Sequence, residues 1–362
     1  MLKRFGLMLA CSGFVFAQQN SLTQIQHLLD KGNRARAIVL LDEILKNHPD
    51  NVKARVLLGG ALADSGKTAE AIPQFKEAVR LNPGDAEAQA GFGTVLLEGG
   101  DVPGAAEHLD RALRILGHTP DAAYTLYVRA RIYSRQGDVK HAAALLTEAI
   151  HLRPDLAPAW SDLGLARKAL LDDAGALRAF QHAEELDPQD AVLQYRLGNE
   201  YLREHKTDLA LKYLEAAYHL NPRDQSTLNS LQLALGRAGK KQEAEEIRQK
   251  LAALLAARDL ANQKIVGAIQ INNEGAKLQK EGDLRGALEK YRKALQLDPQ
   301  HVGIRVNYAI ALLRLGQWTD GLNELHEALR RDPGNAKIKA ALKDALAQAP
   351  PALIPKWSDG EP

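Results

Sequence analysis

A short pattern, glycine, four variable residues and then alanine, recurs along almost the whole chain. It is clearest in Gly66 to Ala71. Its last position falls at Ala37, Ala71, Ala105, Ala142, Ala176, Ala210, Ala244, Ala287 and Gly321, at spacings of 34, 34, 37, 34, 34, 34, 43 and 34 residues. Seven residues further on stands a second small residue: Ala78, Ala112, Ala149, Ala183, Ala217, Ala294 or Ala328. Twelve further on stands proline: Pro49, Pro83, Pro154, Pro188, Pro222, Pro299 or Pro333. Twelve before stands Gly59, Gly93, Gly164, Gly198 or Gly275. A period of this length means one supersecondary unit repeated, none able to bury its apolar face without a neighbour.

Within each unit the apolar residues fall three and four apart in two runs, broken by a glycine-containing turn, which predicts two helices. In the fifth unit these are 157–170 and 174–186. A glycine inside a helix costs about 1 kcal/mol against alanine, so close packing must justify it. The proline ends the second helix, because the residue before proline avoids helical geometry. Aromatic residues are only 5% of the 362, which fits helices better than a sandwich or barrel.

The stretch Gly59 to Thr68 ends in Gly66-Lys67-Thr68 and imitates a phosphate-binding loop. Such a loop needs Gly-x-x-x-x-Gly-Lys-Ser/Thr, so that backbone amides curl around phosphate oxygens. The required first glycine is Ala61, and Gly60 is one residue out of register. The repeat makes Gly59 a packing glycine, Gly66 a turn, and Lys67-Thr68 the start of a helix.

The combination Trp160, Leu163, Gly164, Ala176, Phe180, Ala183 and Pro188, repeated in weaker form across 18–335, resembles the tetratricopeptide repeat (TPR) family. The resemblance implies an all-α, right-handed superhelical solenoid of about nine antiparallel helix pairs. The expected organisation is a first block over 18–258 and a second over 268–335. The seventh repeat is degenerate, with a long second helix from Gln242 to about Asn262 and a helical extension or linker at 259–267. A capping helix is expected over 336–349 and a disordered tail over 350–362. The added residues at 115–119 predict a longer third loop.

Residues 1–17 read as an export signal: Lys3 and Arg4, an apolar run from Phe5 to Phe16, and Ala17 at the cleavage point. Lipidation at Cys11 is the alternative. Cys11 is the only cysteine, so a chain cleaved after Ala17 holds no disulfide, thiolate site or cysteine nucleophile. The expected location is periplasmic or extracellular, with no stable membrane span once the signal is gone. Without Lys3 and Arg4, 45 basic residues face 45 acidic ones, a balance that asks for no nucleic acid.

No enzyme is expected. His326-Glu327 lacks the second histidine of a zinc-binding helix, and Asp172-Asp173 and Glu184-Glu185 sit on turns and helix surfaces. No cofactor and no metal are called for. The family resemblance instead places binding on one stripe of each first helix. In the fourth repeat the stripe is Tyr124, Tyr127, Val128, Arg131, Ser134 and Arg135. In the sixth it is Val192, Tyr195, Arg196, Asn199, Leu202 and Arg203. Between them the fifth supplies Pro158, Ser161, Asp162, Leu165 and Ala169. Tyrosine and arginine are enriched at binding hot spots, and arginine forks onto carboxylates. The expected groove is therefore Tyr124, Tyr127, Arg131, Arg135, Tyr195, Arg196, Asn199 and Arg203, and the expected partner a protein or peptide. The carboxylate clamp of chaperone-docking TPR proteins is matched only by Asn307 and Lys337 among Asn272, Ala276, Asn307, Lys337 and Ala341. Two other roles fit the same residues: a self-assembling structural component, or the helper subunit of a separate envelope or polysaccharide enzyme.

Overall fold

The computed structural model describes residues 21–357; the expected export signal and the last five residues lie outside them. The described residues form eighteen α-helices and no strand. The first repeat pairs α1 (21–30) with α2 (Arg34–Asn47), and the second pairs α3 (Val52–Asp64) with α4 (Thr68–Leu81). Then follow α5 (Ala86–Glu98) with α6 (Val102–Leu116), α7 (Ala122–Arg135) with α8 (Val139–Leu152), and α9 (Ala157–Ala169) with α10 (Asp173–Leu186). The sixth pair is α11 (Ala191–Arg203) with α12 (Thr207–Leu220), and α13 (Gln225–Arg237) opens the seventh. Next comes the single helix α14 (Lys241–Lys280). After it stand α15 (Leu284–Leu297), the pair α16 (Val302–Arg314) and α17 (Trp318–Arg331), and α18 (Ala336–Gln348).

The chain divides into two compact units, at Ala244 and Glu245. In the first, each helix packs on its pair partner and on the next repeat, and α3, α5 and α7 also touch in series, as do α11 and α13. The periodic alanines are the reason. Ala71, Ala105, Ala142, Ala176 and Ala210 are all 0% exposed, and so are Ala78, Ala112, Ala149, Ala183 and Ala217. The helix glycines face aromatic or branched side chains across the crossing. A Cβ on Gly59 would stand 2.7 Å from the Phe75 ring, and one on Gly164 would stand 2.4 Å from Phe180. Gly59 lies in a helix rather than beside a strand, which closes the phosphate-loop reading.

Aspartates cap many of the helices: Asp85, Asp101, Asp172 and Asp224 each accept a hydrogen bond from a first-turn amide. A second device was not anticipated. Five repeats tie the proline at the end of one unit to the first helix of the next. Arg55 donates to the Pro49 carbonyl at 2.8 Å, Gln89 to Pro83 at 2.8 Å and Trp160 to Pro154 at 2.8 Å. Gln194 donates to Pro188 at 2.9 Å and Arg305 to Pro299 at 2.7 Å. Each donor lies six residues after its proline, and the bond satisfies a main-chain carbonyl in the turn between repeats, just beyond the helix C-cap.

Two expectations change and a third takes its longer form. The longer loop at 115–119 is partly helix, since α6 runs to Leu116 before Gly117 turns at φ 58°. The helix expected from Gln242 to about Asn262, with a helical extension or linker after it, runs on as helix. α14 continues unbroken to Lys280, so 259–267 is helix interior and the same helix supplies the first helix of the eighth repeat. Its residues 256–266 are all exposed. The tail is not disordered over 350–357. A 3-10 turn, Pro351–Leu353, leads to Trp357, whose ring stacks on His326 at 4.4 Å and 6°. Trp357 Nε1 donates to Asn323 Oδ1 at 3.0 Å, and Thr319 Oγ1 donates to the Leu353 carbonyl at 2.9 Å.

Candidate functional site

The three stripes expected to bind lie on α7, α9 and α11, which follow one another in the first unit. Their exposed faces line three small clefts. One of about 250 Å³ is bordered by Tyr127, Pro158, Ser161, Asp162, Val192 and Arg196. A second, of about 270 Å³, lies against Arg131, Ser134, Arg135, Asp162, Leu165 and Ala169. The third, of about 470 Å³, is walled by Leu165, Lys168, Tyr195, Arg196, Asn199 and Arg203, with Leu233 and Arg237 beyond. Asp162 borders the first two, Leu165 the second and third, and Arg196 the first and third, so the clefts form one groove. A larger cavity of about 850 Å³ lies between α1 and α2. Its lining is mainly apolar and brings no cluster of like-charged groups together, so it is not preferred.

At the centre of the groove stands Asp162. Burial raises its carboxyl above the ordinary value, while the positive charges of Arg196 and then Arg131 pull it back. Tyr127 belongs to the same group: burial raises its hydroxyl, the Asp162 charge adds to the rise, and Arg131 and Arg196 oppose it. The Arg131 guanidinium carbon sits 5.8 Å from the centre of the Tyr127 ring. Arg196 donates to Ser161 Oγ on the neighbouring helix. Two guanidinium groups thus face one partly buried carboxylate. Asp187 and Asp190 add negative charge at the edge of the first cleft, but the three clefts together are lined by more cations than carboxylates, and an incoming carboxylate there meets less screening than at an open surface.

The remaining expected residues divide. Tyr124 packs its ring 5.7 Å from that of Tyr127 but opens onto the cleft of the second and third repeats, beside Glu87 and Glu98. Val128 and Leu202, also on the stripes, are buried. Asn199 is not free to clamp a peptide amide as expected. Its Nδ2 donates to the Tyr195 carbonyl at 3.1 Å, and its Oδ1 accepts from Ser230 at 2.9 Å. Arg203 is also committed. It pairs with Glu200 and, at 3.3 Å, with Asp173, while Lys168 takes the other oxygen of Glu200. Glu200 is buried, and a buried carboxylate needs those cations. Arg135 donates to the Leu97 carbonyl at 3.4 Å, in the last turn of α5. Arg237 does the same for Leu202 of α11 at 2.7 Å. Both arginines donate to the last turn of a preceding helix.

The groove therefore reduces to Tyr127, Arg131, Asp162 and Arg196, edged by Tyr195. Asp162 was on the expected stripe but not among the expected site residues. Its register was the available signal: it stands one 34-residue period before Arg196. In the second unit the clamp-like residues are spent on each other, with Asn307 Nδ2 donating to Asn272 Oδ1 at 2.9 Å.

Profiles of the tetratricopeptide repeat match residues 22–86 and 61–123, 123–156, and 278–345, together more than half of the chain. The chain belongs to the tetratricopeptide repeat family. Among curated proteins it is similar to Protein FlbA of Caulobacter vibrioides, 30% identical over 245 residues, which is 67% of this chain and 39% of FlbA. It is also similar to the anaphase-promoting complex subunit CDC16 of Saccharomyces cerevisiae, 25% identical over 230 residues, 63% of this chain and 27% of CDC16. The chain spans well under half the length of either. Among solved structures, PilF of Pseudomonas aeruginosa matches with a TM-score of 0.49 and 19% identity over 56% of this chain and 88% of PilF. TPR proteins are typically protein-interaction scaffolds, and among the described residues of this one no helix is long and apolar enough to cross a membrane.

Proposed function

We propose that this TPR protein is an exported, non-enzymatic scaffold that holds a segment of a partner protein in the groove of its fourth to sixth repeats. A partner carboxylate, from an acidic side chain or a chain end, sits against Arg131 and Arg196, and an aromatic or apolar neighbour rests on Tyr127 and Tyr195. The observation that carries this reading is the excess of cation over anion along the groove: Arg131, Arg135, Lys168, Arg196, Arg203 and Arg237 line its three clefts against Asp162, Asp187, Asp190 and Glu200. Arginine forks bidentately onto carboxylates, which gives direction as well as charge. Export rests on the layout of residues 1–17, with Cys11 the alternative attachment point.

The test is crosslinking in cells followed by mass spectrometry, comparing the full chain with the Arg131→Ala, Arg196→Ala double variant. Loss of a partner, with helicity by circular dichroism unchanged, supports the groove. Persistence of every partner in a folded variant sinks it.

A further inference from the structure

The middle of α14 carries apolar residues that no other described residue covers. Residues 256–266 are exposed throughout, with Ile265 at 42% and Val266 at 54%. Ile269 beyond them is 41% exposed, and Leu254 and Leu255 are half-buried. At 100° per residue, Leu254, Leu255, Arg258, Asn262, Ile265, Val266 and Ile269 fall on one stripe ~120° wide. Leu260, also exposed, points to the opposite side. An apolar stripe on a helix without a neighbour is the surface that a second helix covers.

The order along the stripe is what names the occupant. About residue 260 it reads nearly the same in both directions. Leu255 and Ile265 lie five residues either side, Leu254 and Val266 six, and Arg258 and Asn262 two. Turning the helix end for end therefore lays apolar on apolar and polar on polar. That is the condition for a two-fold, isologous contact, in which the same patch serves both partners. In such a pair Arg258 of one copy meets Asn262 of the other, with Asp259 one turn away to balance its charge. A polar layer inside an apolar seam fixes register and direction.

We infer that α14 is a homodimerisation helix, pairing antiparallel with the α14 of a second copy about residue 260. The contact is short, ~18 Å from Leu254 to Val266. It falls at the small end of specific interfaces, so the dimer is reversible and concentration-dependent. The inference does not rest on the groove of the fourth to sixth repeats, since all the residues named belong to the second unit.

The experiment is multi-angle light scattering on the full chain over a concentration series. Two variants accompany it: Ile265→Glu with Val266→Glu, and Leu260→Glu alone. All three substituted side chains are exposed, so the fold tolerates them, and circular dichroism checks this. The expected result is a wild-type mass that climbs from one chain to two, a double variant that stays at one chain, and a Leu260→Glu variant that follows wild type. A wild type that remains a single chain at every concentration overturns the inference and leaves the stripe to a different partner. Dimerisation that survives the double variant, or that Leu260→Glu also abolishes, overturns it too.

Discussion

Gly164 and Phe180 meet so closely that a single methyl group has no room between them. The Cβ of any other residue at 164 would lie 2.4 Å from Phe180 Cε1, and Phe180 is itself 1% exposed. The ring cannot swing into solvent, so the helices must part. Gly164→Ala gains about 1 kcal/mol of helix propensity and loses more to overpacking, which runs at about 1–3 kcal/mol. A net loss of stability is expected, read as a lower urea midpoint at unchanged slope. An unchanged or raised midpoint would show that the crossing is looser than described.

In seven repeats glycine occupies the turn between the two helices with a positive φ, but the fifth and sixth use Leu171 at φ 63° and His205 at φ 59°. A branched side chain in that conformation costs about 1–2 kcal/mol. Leu171 is 88% exposed, so its side chain packs on nothing that repays the cost. Leu171→Gly is expected to stabilise the protein by about 1 kcal/mol, a gain visible as a higher melting temperature.

Asp162 should set a pH dependence. Its folded-state carboxyl lies above the ordinary value, chiefly because it is buried. A carboxyl raised by folding binds its proton more tightly in the folded chain, so its charged form penalises folding at neutral pH. The penalty fades as pH falls into the carboxyl range. Asp162→Asn is therefore expected to raise the melting temperature at pH 7 and to lose that advantage on acidification. A variant less stable at pH 7 would mean that the attraction to Arg131 and Arg196 outweighs burial.

Glu327 has the opposite sign. A hydrogen bond from Arg330, reinforced by one from Arg331, lowers its carboxyl to about 2. Stability from this group is present above the ordinary carboxylate range and is lost as pH falls through about 2. The pairs are part-exposed and screened, so the contribution is at most ~1 kcal/mol. Glu327→Gln should lower the melting temperature slightly at pH 7 and leave it unchanged near pH 2. Salt should shrink the difference at pH 7.

How much of this was legible depended on whether a residue's partner leaves a mark in the sequence. Ala176, Gly164 and Phe180 pack on one another, and all three recur with the period, so the helix pairs could be placed by counting. Arg135 and Arg203 could be placed on the right face but not assigned a role. What occupies Arg135 is the Leu97 carbonyl, and a main-chain oxygen looks the same beneath every side chain. What occupies Arg203 is Glu200, whose burial only the stacked repeats reveal. The lack of glycine and proline between Lys240 and Val266 announced a long helix, but Gly267 obscured how far it ran. Trp357 has no counterpart in the 34-residue period, and its partners His326 and Asn323 lie in a helix more than thirty residues earlier, so no sequence pattern marks the contact.

The tie from the proline carbonyl of five repeats to the next first helix has a consequence for comparing such chains. The donor is an arginine in two repeats, a glutamine in two and a tryptophan in one, always six residues on. Three different side chains bring an N–H to that oxygen. Scored by residue identity, the column looks unconstrained. Scored by whether its occupant can donate, it is uniform across those five repeats; Leu126 and Leu228 have no side-chain N–H to offer, and Lys339, six residues after Pro333, leads into the terminal helix α18 rather than a further repeat.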